Sequence, residues 1–200
     1  MKKNKHEFGY KFLRGVLRPI FKIYYKPKII GKENIPEDGS ILIVGNHKHI
    51  MDQCLPILAT KRTIHWMAKR EYFDDKKVAW FFRMSGCISV DRSKKDEHAK
   101  GEAIEVLKDG GAIGLFPEGT RNKTDAFLLP FKFGAVSMAQ KTDSYLVPFG
   151  ISGDYKFRSK NLVVVIGKPF KVGDMDLEEA NKKLAKEIGN LMKKGQAMNK

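Results

Sequence analysis

The stretch SILIVGNHKHIMD, residues 40–52, carries the pattern that decides the fold. Its first six residues are predicted to form a buried strand, because a short apolar run bounded by turn residues is typical of a strand covered on both faces. The polar residues 46–52 form a junction. A helix is predicted over residues 53–60, with Pro56 tolerated in its first turn. One strand, one polar loop and one helix therefore follow each other directly.

The same alternation continues along the chain. Further strands are predicted at residues 63–68, 87–90, 112–116, 145–151 and 162–166, and helices at residues 77–84, 96–108, 134–141 and 176–194. This order predicts a single α/β domain with a largely parallel or mixed sheet flanked by helices. Ligands in such folds gather at loops that leave the carboxyl ends of strands. Two polar loops, 46–52 and 117–121, each follow an apolar strand and are therefore candidates for the site.

Composition limits the classes of function. The 200 residues are enough for one well-buried core, and the formal net charge of +15 suggests an anionic partner, either nucleic acid or anionic lipid. The two cysteines, Cys54 and Cys87, form neither a disulfide framework nor a zinc cluster, so we expect a reducing, cytoplasmic setting and no metal. The longest apolar runs are shorter than the roughly 20 residues that span a bilayer.

Residues 1–28 hold nine basic residues and one acid, Glu7, and so carry +8 of the +15. The basic residues are Lys2, Lys3, Lys5, Lys11, Arg14, Arg18, Lys22, Lys26 and Lys28. On a helical wheel, one face of residues 8–24 is apolar and aromatic: Phe8, Phe12, Leu13, Val16, Leu17, Ile20, Phe21 and Tyr24. A helix with a basic face opposite such a face is typical of the membrane surface. Pro19 is expected to kink or split it. The alternative is an ordinary helix packed on the core.

The junction after the first strand holds a candidate acid–base pair. His47 leaves the strand and Asp52 begins the helix, so a sharp turn can bring the carboxylate to one imidazole nitrogen and leave the other as a general base. His49 is a rival base, closer to Asp52 in sequence but further from the strand. A turn with an aspartate cap is the alternative that has no catalytic role.

The second polar loop offers groups that suit an anion. Gly119 permits close approach of the backbone, Thr120 offers a hydroxyl, and Arg121 offers a planar fork for a phosphate. Glu118 precedes them. The alternative is a surface turn with a solvated arginine.

Four blocks of the sequence together resemble the glycerolipid acyltransferase family, which includes bacterial 1-acyl-glycerol-3-phosphate acyltransferases. NHKHIMD is similar to the family's NHxxxxD, and FPEGTR matches its third block without departure. GCISVDR, residues 86–92, and LVPFGI, residues 146–151, are similar to its second and fourth. In the second block, Ile88, Val90 and Asp91 replace a more usual aromatic-containing stretch, which leaves the fine acceptor preference open.

The resemblance implies a role for each matching residue. His47 would be the general base, oriented by Asp52, and residues 29–200 would form the acyltransferase domain. Arg121 would bind the acceptor's phosphate, and Lys69 and Arg92 would add positive charge near it. Glu118, Gly119 and Thr120 would shape the loop, and Pro148 would help to shape the acyl-donor side. Gly86 of the second block is a further candidate for substrate binding. No cofactor is implied, and an acyl thioester of acyl carrier protein or coenzyme A would be the co-substrate. The acceptor would be lysophosphatidic acid, acylated at its sn-2 hydroxyl to phosphatidic acid in phospholipid biosynthesis.

Several other functions stay open at this point. The acceptor is alternatively glycerol 3-phosphate or another lysophospholipid, and water as acceptor would make the protein a thioesterase. A non-catalytic module that binds anionic membrane is a further class. No nucleic-acid-binding motif is visible, so nucleic acid is not expected as a partner. We expect a peripheral or monotopic protein on the cytoplasmic face of the cell membrane.

Overall fold

A computed structural model describes residues 7–199, and its core is one sheet of seven strands. The strands are β1 Lys28–Ile30, β2 Ile41–Gly45, β3 Ile64–Lys69, β4 Ile88–Val90, β5 Ala112–Leu115, β6 Tyr145–Ser152 and β7 Val163–Ile166. Their order across the sheet is β1-β7-β6-β2-β5-β3-β4. Only β6 and β7 pair antiparallel, and the other neighbours are parallel. The predicted α/β domain with a mixed sheet is confirmed.

Helices cover both faces of the sheet. They are α1 Glu7–Tyr25, α2 Cys54–Ala59, α3 Glu71–Asp74, α4 Ala79–Met84, α5 Glu97–Lys108, α6 Gly134–Lys141 and α7 Leu177–Ala197. Buried side chains of α5, α6 and α7 form one apolar core, and those of α1 and α2 belong to the core on the opposite face. Strand β2 lies in the middle and its five residues are all buried, as the continuous apolar run predicts.

The register of the central strands brings the two polar loops together. Val44 near the end of β2 pairs with Leu115 at the end of β5 in parallel. The loops that follow these strands therefore leave the sheet at the same edge. The parallel pairing of β2 with β5 therefore assembles the site. The sequence alone did not show which strands pair.

Helix α1 differs from its prediction. It runs as one helix through Pro19, so the expected alternative of two short helices is wrong, while the kink at Pro19 stays a prediction. Proline removes the bond to the carbonyl of Gly15, but Tyr10 and Phe21 are buried on either side of it and hold both halves against the domain. Lys2, Lys3 and Lys5, which contribute to the predicted basic segment, lie outside the described residues. Within residues 7–199, no helix has the length and apolar character needed to cross a bilayer.

Three short elements were not predicted. They are strand β1, helix α3 and a 3-10 helix, Lys32–Asn34. Each has only three or four residues, which is too few to show a hydrophobic period. The boundaries of the longer elements lie within a few residues of those predicted.

Candidate active site

The site begins where β2 ends. The side chain of the buried Asn46 bonds the backbone of Ile151 on β6 in both directions, through its Nδ2 at 3.1 Å and its Oδ1 at 2.7 Å. The carbonyl of His47 accepts from the backbone N–H of Asn122 at 2.7 Å. These contacts hold the start of the loop rigidly against two other segments, and they fix the direction of the next side chain.

His47 and Asp52 form a buried pair. The Nδ1 of His47 lies 2.9 Å from Oδ2 of Asp52, whose side chain is buried, while His47 retains 9% exposure. With a proton on Nδ1 donated to the carboxylate, Nε2 is left with a free lone pair. The ring of His47 stacks on Phe116 at a centroid distance of 3.9 Å, which holds its plane. This arrangement has the geometry of a general base and its orienting acid.

The Asp52 carboxylate receives three further hydrogen bonds. Its Oδ2 accepts from the backbone N–H groups of Lys48 at 2.6 Å and His49 at 2.7 Å. Its Oδ1 accepts from the hydroxyl of Tyr155 at 2.6 Å. Burial and the charge of Asp52 raise the pKa of Tyr155 far above its ordinary value, so this hydroxyl remains a donor. These donors stabilise the anionic carboxylate and immobilise it.

His49 is placed differently from His47. It contributes its backbone N–H to Asp52, whereas its imidazole stacks on Tyr155 at a centroid distance of 4.2 Å. The Nδ1 of His49 accepts a long hydrogen bond, 3.3 Å, from the backbone N–H of Met51. The contacts therefore favour His47 over His49 as the base.

Glu118 is a brace between two loops. Its Oε1 accepts from the backbone N–H of His47 at 2.8 Å, and its Oε2 accepts from the backbone N–H of Leu129 at 2.9 Å. Burial raises the pKa of Glu118, and the two backbone donors oppose that effect. Both carboxylate oxygens of Glu118 are thus occupied by backbone contacts, one of which holds the base in place.

A small cavity of about 70 Å³ opens in front of His47. Three of the predicted residues line it with positive charge: Lys69, Arg92 and Arg121. Lys69 also pairs with Glu71 at 2.5 Å, and Arg92 donates to the carbonyl of Gly119 at 2.8 Å. A general base and three cations around one cavity suit a substrate that carries a hydroxyl near a phosphate.

The other predicted residues lie at the margin or away from the cavity. Gly119 adopts a positive φ of 69°, as its place in the tight loop requires, and Thr120 is exposed next to it. Gly86 has a φ of 67° and accepts from Nδ1 of His65 at 2.7 Å, so its role is in the turn before β4. Pro148 is buried inside β6 opposite Val44. Neither Gly86 nor Pro148 lines the cavity, whose described walls come from other segments.

A larger apolar cavity of about 320 Å³ adjoins this site beneath α1. Trp66, Phe82 and Cys87 line both cavities, so the two are neighbours. Cys54 also lines the apolar one, and burial raises its pKa to about 12. Burial raises the pKa of the Cys87 thiol as well. Both thiols are therefore protonated at neutral pH, which makes them poor nucleophiles.

Sequence reasoning missed several residues of the site. Asn46 lay inside a quoted motif but was given no role, and Asn122 follows the second loop directly. Phe116 was predicted only as the last residue of a strand. Tyr155 had no signal, because it lies in a loop more than 100 residues from Asp52 and only the fold brings the two together. In the described chain, no group of three or more histidine, cysteine, aspartate or glutamate side chains is placed to hold a metal ion.

The geometry agrees with comparisons to known proteins. The family model described as Acyltransferase matches residues 26–152, which include the dyad, the three cations and the FPEGTR loop. The chain belongs to this acyltransferase family and is an enzyme of that class.

Two curated relatives and one solved structure are similar to it. A protein of Bacillus subtilis named 1-acyl-sn-glycerol-3-phosphate acyltransferase is 32% identical over 181 residues, which cover 88% of this chain and 89% of that protein. A protein of Borreliella burgdorferi with the same name is 33% identical over 68% of this chain and 54% of its own length. The crystal structure of the 1-acyl-sn-glycerophosphate (LPA) acyltransferase PlsC from Thermotoga maritima superposes with a TM-score of 0.73 and 26% identity. It covers 92% of this chain and 81% of that one.

Proposed function

We propose that the enzyme transfers a fatty acyl group from an acyl thioester to the sn-2 hydroxyl of lysophosphatidic acid, forming phosphatidic acid in phospholipid biosynthesis. The observation that carries the proposal is the cavity in which His47 faces Lys69, Arg92 and Arg121. The names of the relatives from Bacillus and Borreliella support the same substrate. Acyl carrier protein and coenzyme A are the two candidate carriers of the thioester.

The dyad would act by general base catalysis. Nε2 of His47 takes the proton of the acceptor hydroxyl as its oxygen forms a bond to the thioester carbonyl carbon. Asp52 holds the ring and stabilises the imidazolium that results. The carbon–sulfur bond then breaks, and His47 returns the proton to the departing sulfur. The acyl group passes directly between the two substrates, with no covalent enzyme intermediate and no cofactor.

The acceptor's phosphate would bind the three cations of the cavity. A guanidinium can make two parallel hydrogen bonds to a phosphate, so Arg121 is the strongest candidate for this contact. The apolar cavity beneath α1 lies next to the reacting atoms and suits an acyl chain.

Helix α1 would hold the enzyme on an anionic membrane, on its cytoplasmic face, as a peripheral or monotopic protein. Seven large apolar side chains of α1 are at least 42% exposed: Phe8, Phe12, Val16, Leu17, Ile20, Ile23 and Tyr24. Trp80 and Phe157 are similarly exposed, and Phe157 contacts Tyr24 at a ring distance of 4.9 Å. A continuous exposed patch of this kind is typical of a surface that meets a membrane or a partner.

The test is transfer of a labelled acyl group to lysophosphatidic acid in anionic micelles, with acyl carrier protein or coenzyme A as carrier. His47→Ala is expected to lower kcat by about 10²–10⁴-fold, the usual contribution of a general base. His49→Ala is the matched control from the same loop and should stay within about tenfold of the wild type. Equal losses in the two variants would contradict the assignment of the base.

The acceptor is tested with the same donors. The wild type should prefer lysophosphatidic acid over a monoacylglycerol, which lacks the phosphate, and over glycerol 3-phosphate, which lacks the acyl chain. Arg121→Ala should raise the KM for lysophosphatidic acid by about 10–100-fold, since a hydrogen bond to a charged group contributes about 1.5–3 kcal/mol. Faster transfer to glycerol 3-phosphate would replace the proposed acceptor, and absence of transfer from both carriers would favour a non-catalytic membrane module.

A further inference from the structure

A second, basic groove lies on the other side of the Phe116–Gly119 loop from the dyad. It has a volume of about 470 Å³ and is bounded by the ends of β4 and β5 and by the start of α6. Five cations line it: Arg92, Lys94, Lys95, Lys100 and Lys132. So many cations around one concave surface create a strong positive potential, which favours an anionic ligand.

The acids in the groove do not cancel this charge. Asp96 caps α5, where it accepts from the backbone N–H of Ala99 at 3.0 Å, and it also accepts from that of Asp91. Asp91 accepts from the hydroxyl of Ser93 at 2.6 Å. Both carboxylates thus serve local structure, and Oδ2 of Asp91 also lies 4.0 Å from Nζ of Lys94. Five cations against two acids leave the lining with three net positive charges.

Lys132 is fixed against the Phe116–Gly119 loop. A side chain at Gly119 would place its Cβ 2.8 Å from Cε of Lys132, so the lysine stem packs over this glycine. The backbone N–H of Lys132 also bonds the carbonyl of Pro117 at 2.8 Å. Lys132 is therefore held beside the same loop whose other side braces His47.

The groove opens next to the reacting atoms. Met67, Arg92 and Phe116 line both the groove and the dyad cavity, and Phe116 stacks on the ring of His47. A ligand with its charge among the lysines and an extended arm over Phe116 would reach the base. The floor of the groove includes apolar side chains such as Leu115 and Met138, which suit the methylene and methyl groups of such an arm.

The two-substrate reaction supplies a ligand with this chemistry. We infer that the groove binds the 4′-phosphopantetheine arm of the acyl donor, with its phosphate near Lys94 and Lys132 and its thioester beside Phe116. Acyl carrier protein and coenzyme A share this arm. The inference rests on the proposed function, in which the acceptor's phosphate binds in the dyad cavity, whose cations Lys69 and Arg121 do not line the groove while Arg92 lines both.

The test uses the double variant Lys94→Glu/Lys132→Glu, because both lysines line the groove but not the dyad cavity. Lys168→Glu/Lys186→Glu is the control, since it changes net charge equally at two exposed lysines outside both sites. Initial rates are measured with three donors: acyl carrier protein thioester, coenzyme A thioester, and an acyl pantetheine that lacks the phosphate.

The groove variant should raise the KM for both phosphate-bearing donors by about tenfold or more, because charged hydrogen bonds to the phosphate are lost. The KM for acyl pantetheine and for lysophosphatidic acid should change little, and the control variant should match the wild type. Of the two carriers, the one for whose thioester the wild-type enzyme has the lower KM is the donor that supplies the arm.

Three results would overturn the inference. They are an unchanged KM for both phosphate-bearing donors, an equal increase for acyl pantetheine, and an increase for acyl carrier protein alone, which would indicate docking of the protein rather than of the arm. A wild type that transfers nothing to lysophosphatidic acid would instead contradict the proposed function. Failure of the groove and failure of the reaction are therefore distinguishable.

Discussion

Helices α1 and α7 are both long and amphipathic, yet they face opposite ways. Helix α7 turns its apolar side inward, and Leu184, Ile188 and Met192 are fully buried against the sheet. Helix α1 buries only Tyr10 and Phe21 and leaves most of its apolar side exposed. An apolar stripe indicates that one side of a helix is buried against something. The stripe alone does not show whether that side packs on the protein core or meets another surface.

The polar sides of the two helices explain the difference. Arg14 and Arg18 of α1 point toward the domain. Arg14 donates to the carbonyl of Lys61, which follows α2, and Arg18 donates to the carbonyl of Leu58 within α2. In α7, the ion pair Lys182–Glu178 lies in solvent at 2.7 Å. Basic anchors therefore hold α1 with its apolar side outward, the reverse of an ordinary surface helix. Four measurements test this comparison.

The largest expected effect is on stability. Ile188→Ala in α7 should lower the free energy of unfolding by about 2–5 kcal/mol, because it leaves a cavity in the core. The same change at Ile20 in α1, which is 57% exposed, should stay within about 0.5 kcal/mol. Denaturant unfolding followed by circular dichroism measures both. Similar losses would mean that α1 packs in solution as α7 does.

Membrane binding should show the opposite ranking. Phe8→Ser/Phe12→Ser removes two outward rings of α1 and should weaken cosedimentation with anionic vesicles by roughly 10–100-fold, from the apolar area no longer inserted. Glu178→Ser/Lys182→Ser on the outer side of α7 keeps the net charge and should have no effect. Substitution is preferable to deletion of α1, because Tyr10 and Phe21 belong to the core. Undiminished binding of the α1 variant would contradict the proposed membrane surface.

A smaller effect is expected where α1 approaches the dyad. Phe21 and Tyr25 contact the ring of Tyr155, whose hydroxyl donates to Asp52. Tyr155→Phe keeps the ring contacts but removes one of the hydrogen bonds that hold the Asp52 carboxylate in position against His47. We expect kcat to fall about tenfold, for the loss of a hydrogen bond to a charged group, with little change in KM.

Tyr24→Phe is the control, since its ring belongs to the same aromatic cluster but its hydroxyl is not bonded to Asp52. An unchanged kcat in the Tyr155 variant would reduce Tyr155 to a packing role.

The smallest effect concerns the anchors of α1. Arg18→Gln should lower the free energy of unfolding by about 1 kcal/mol, since its bond to the Leu58 carbonyl is partly buried. Lys22→Gln removes the same charge at an exposed position of the same helix and should change stability by less than about 0.5 kcal/mol. Equal losses would show that Arg18 acts through helix charge and not through this contact.

Much of the fold was predictable because its elements follow local rules. The buried run of β2 and the helix over residues 96–108, which is α5, were predicted from the sequence, and the layered α/β class is confirmed. The short elements β1 and α3 were not predicted, since three or four residues are too few to show a hydrophobic period. The expected split of α1 at Pro19 is wrong, because the buried side chains of Tyr10 and Phe21 hold both halves of the helix against the domain.

The residues of the candidate site also fall into those that the sequence predicted and those whose place only the fold decides. His47, Arg92 and Arg121 were chosen from motifs, and the structure brings them to one cavity, with Asp52 bonded to His47 behind it, while their catalytic and binding roles stay predictions. Glu118 was expected to shape the second loop, and its contacts brace the backbone of His47. Gly86 and Pro148 lie outside the cavity walls, because a motif also records residues that shape turns and strands.

The sequence by itself identified the acyltransferase class through the resemblance of its four motif blocks to that family, and it placed His47 and Asp52 five residues apart in one loop, where local geometry can join them. Only the tertiary structure decided which side of α1 faces outward, that Tyr155 reaches Asp52, and that five cations meet in one groove. The contact between Tyr155 and Asp52 joins segments more than 100 residues apart. Such contacts follow from the strand order of the sheet, which no local pattern of residues encodes.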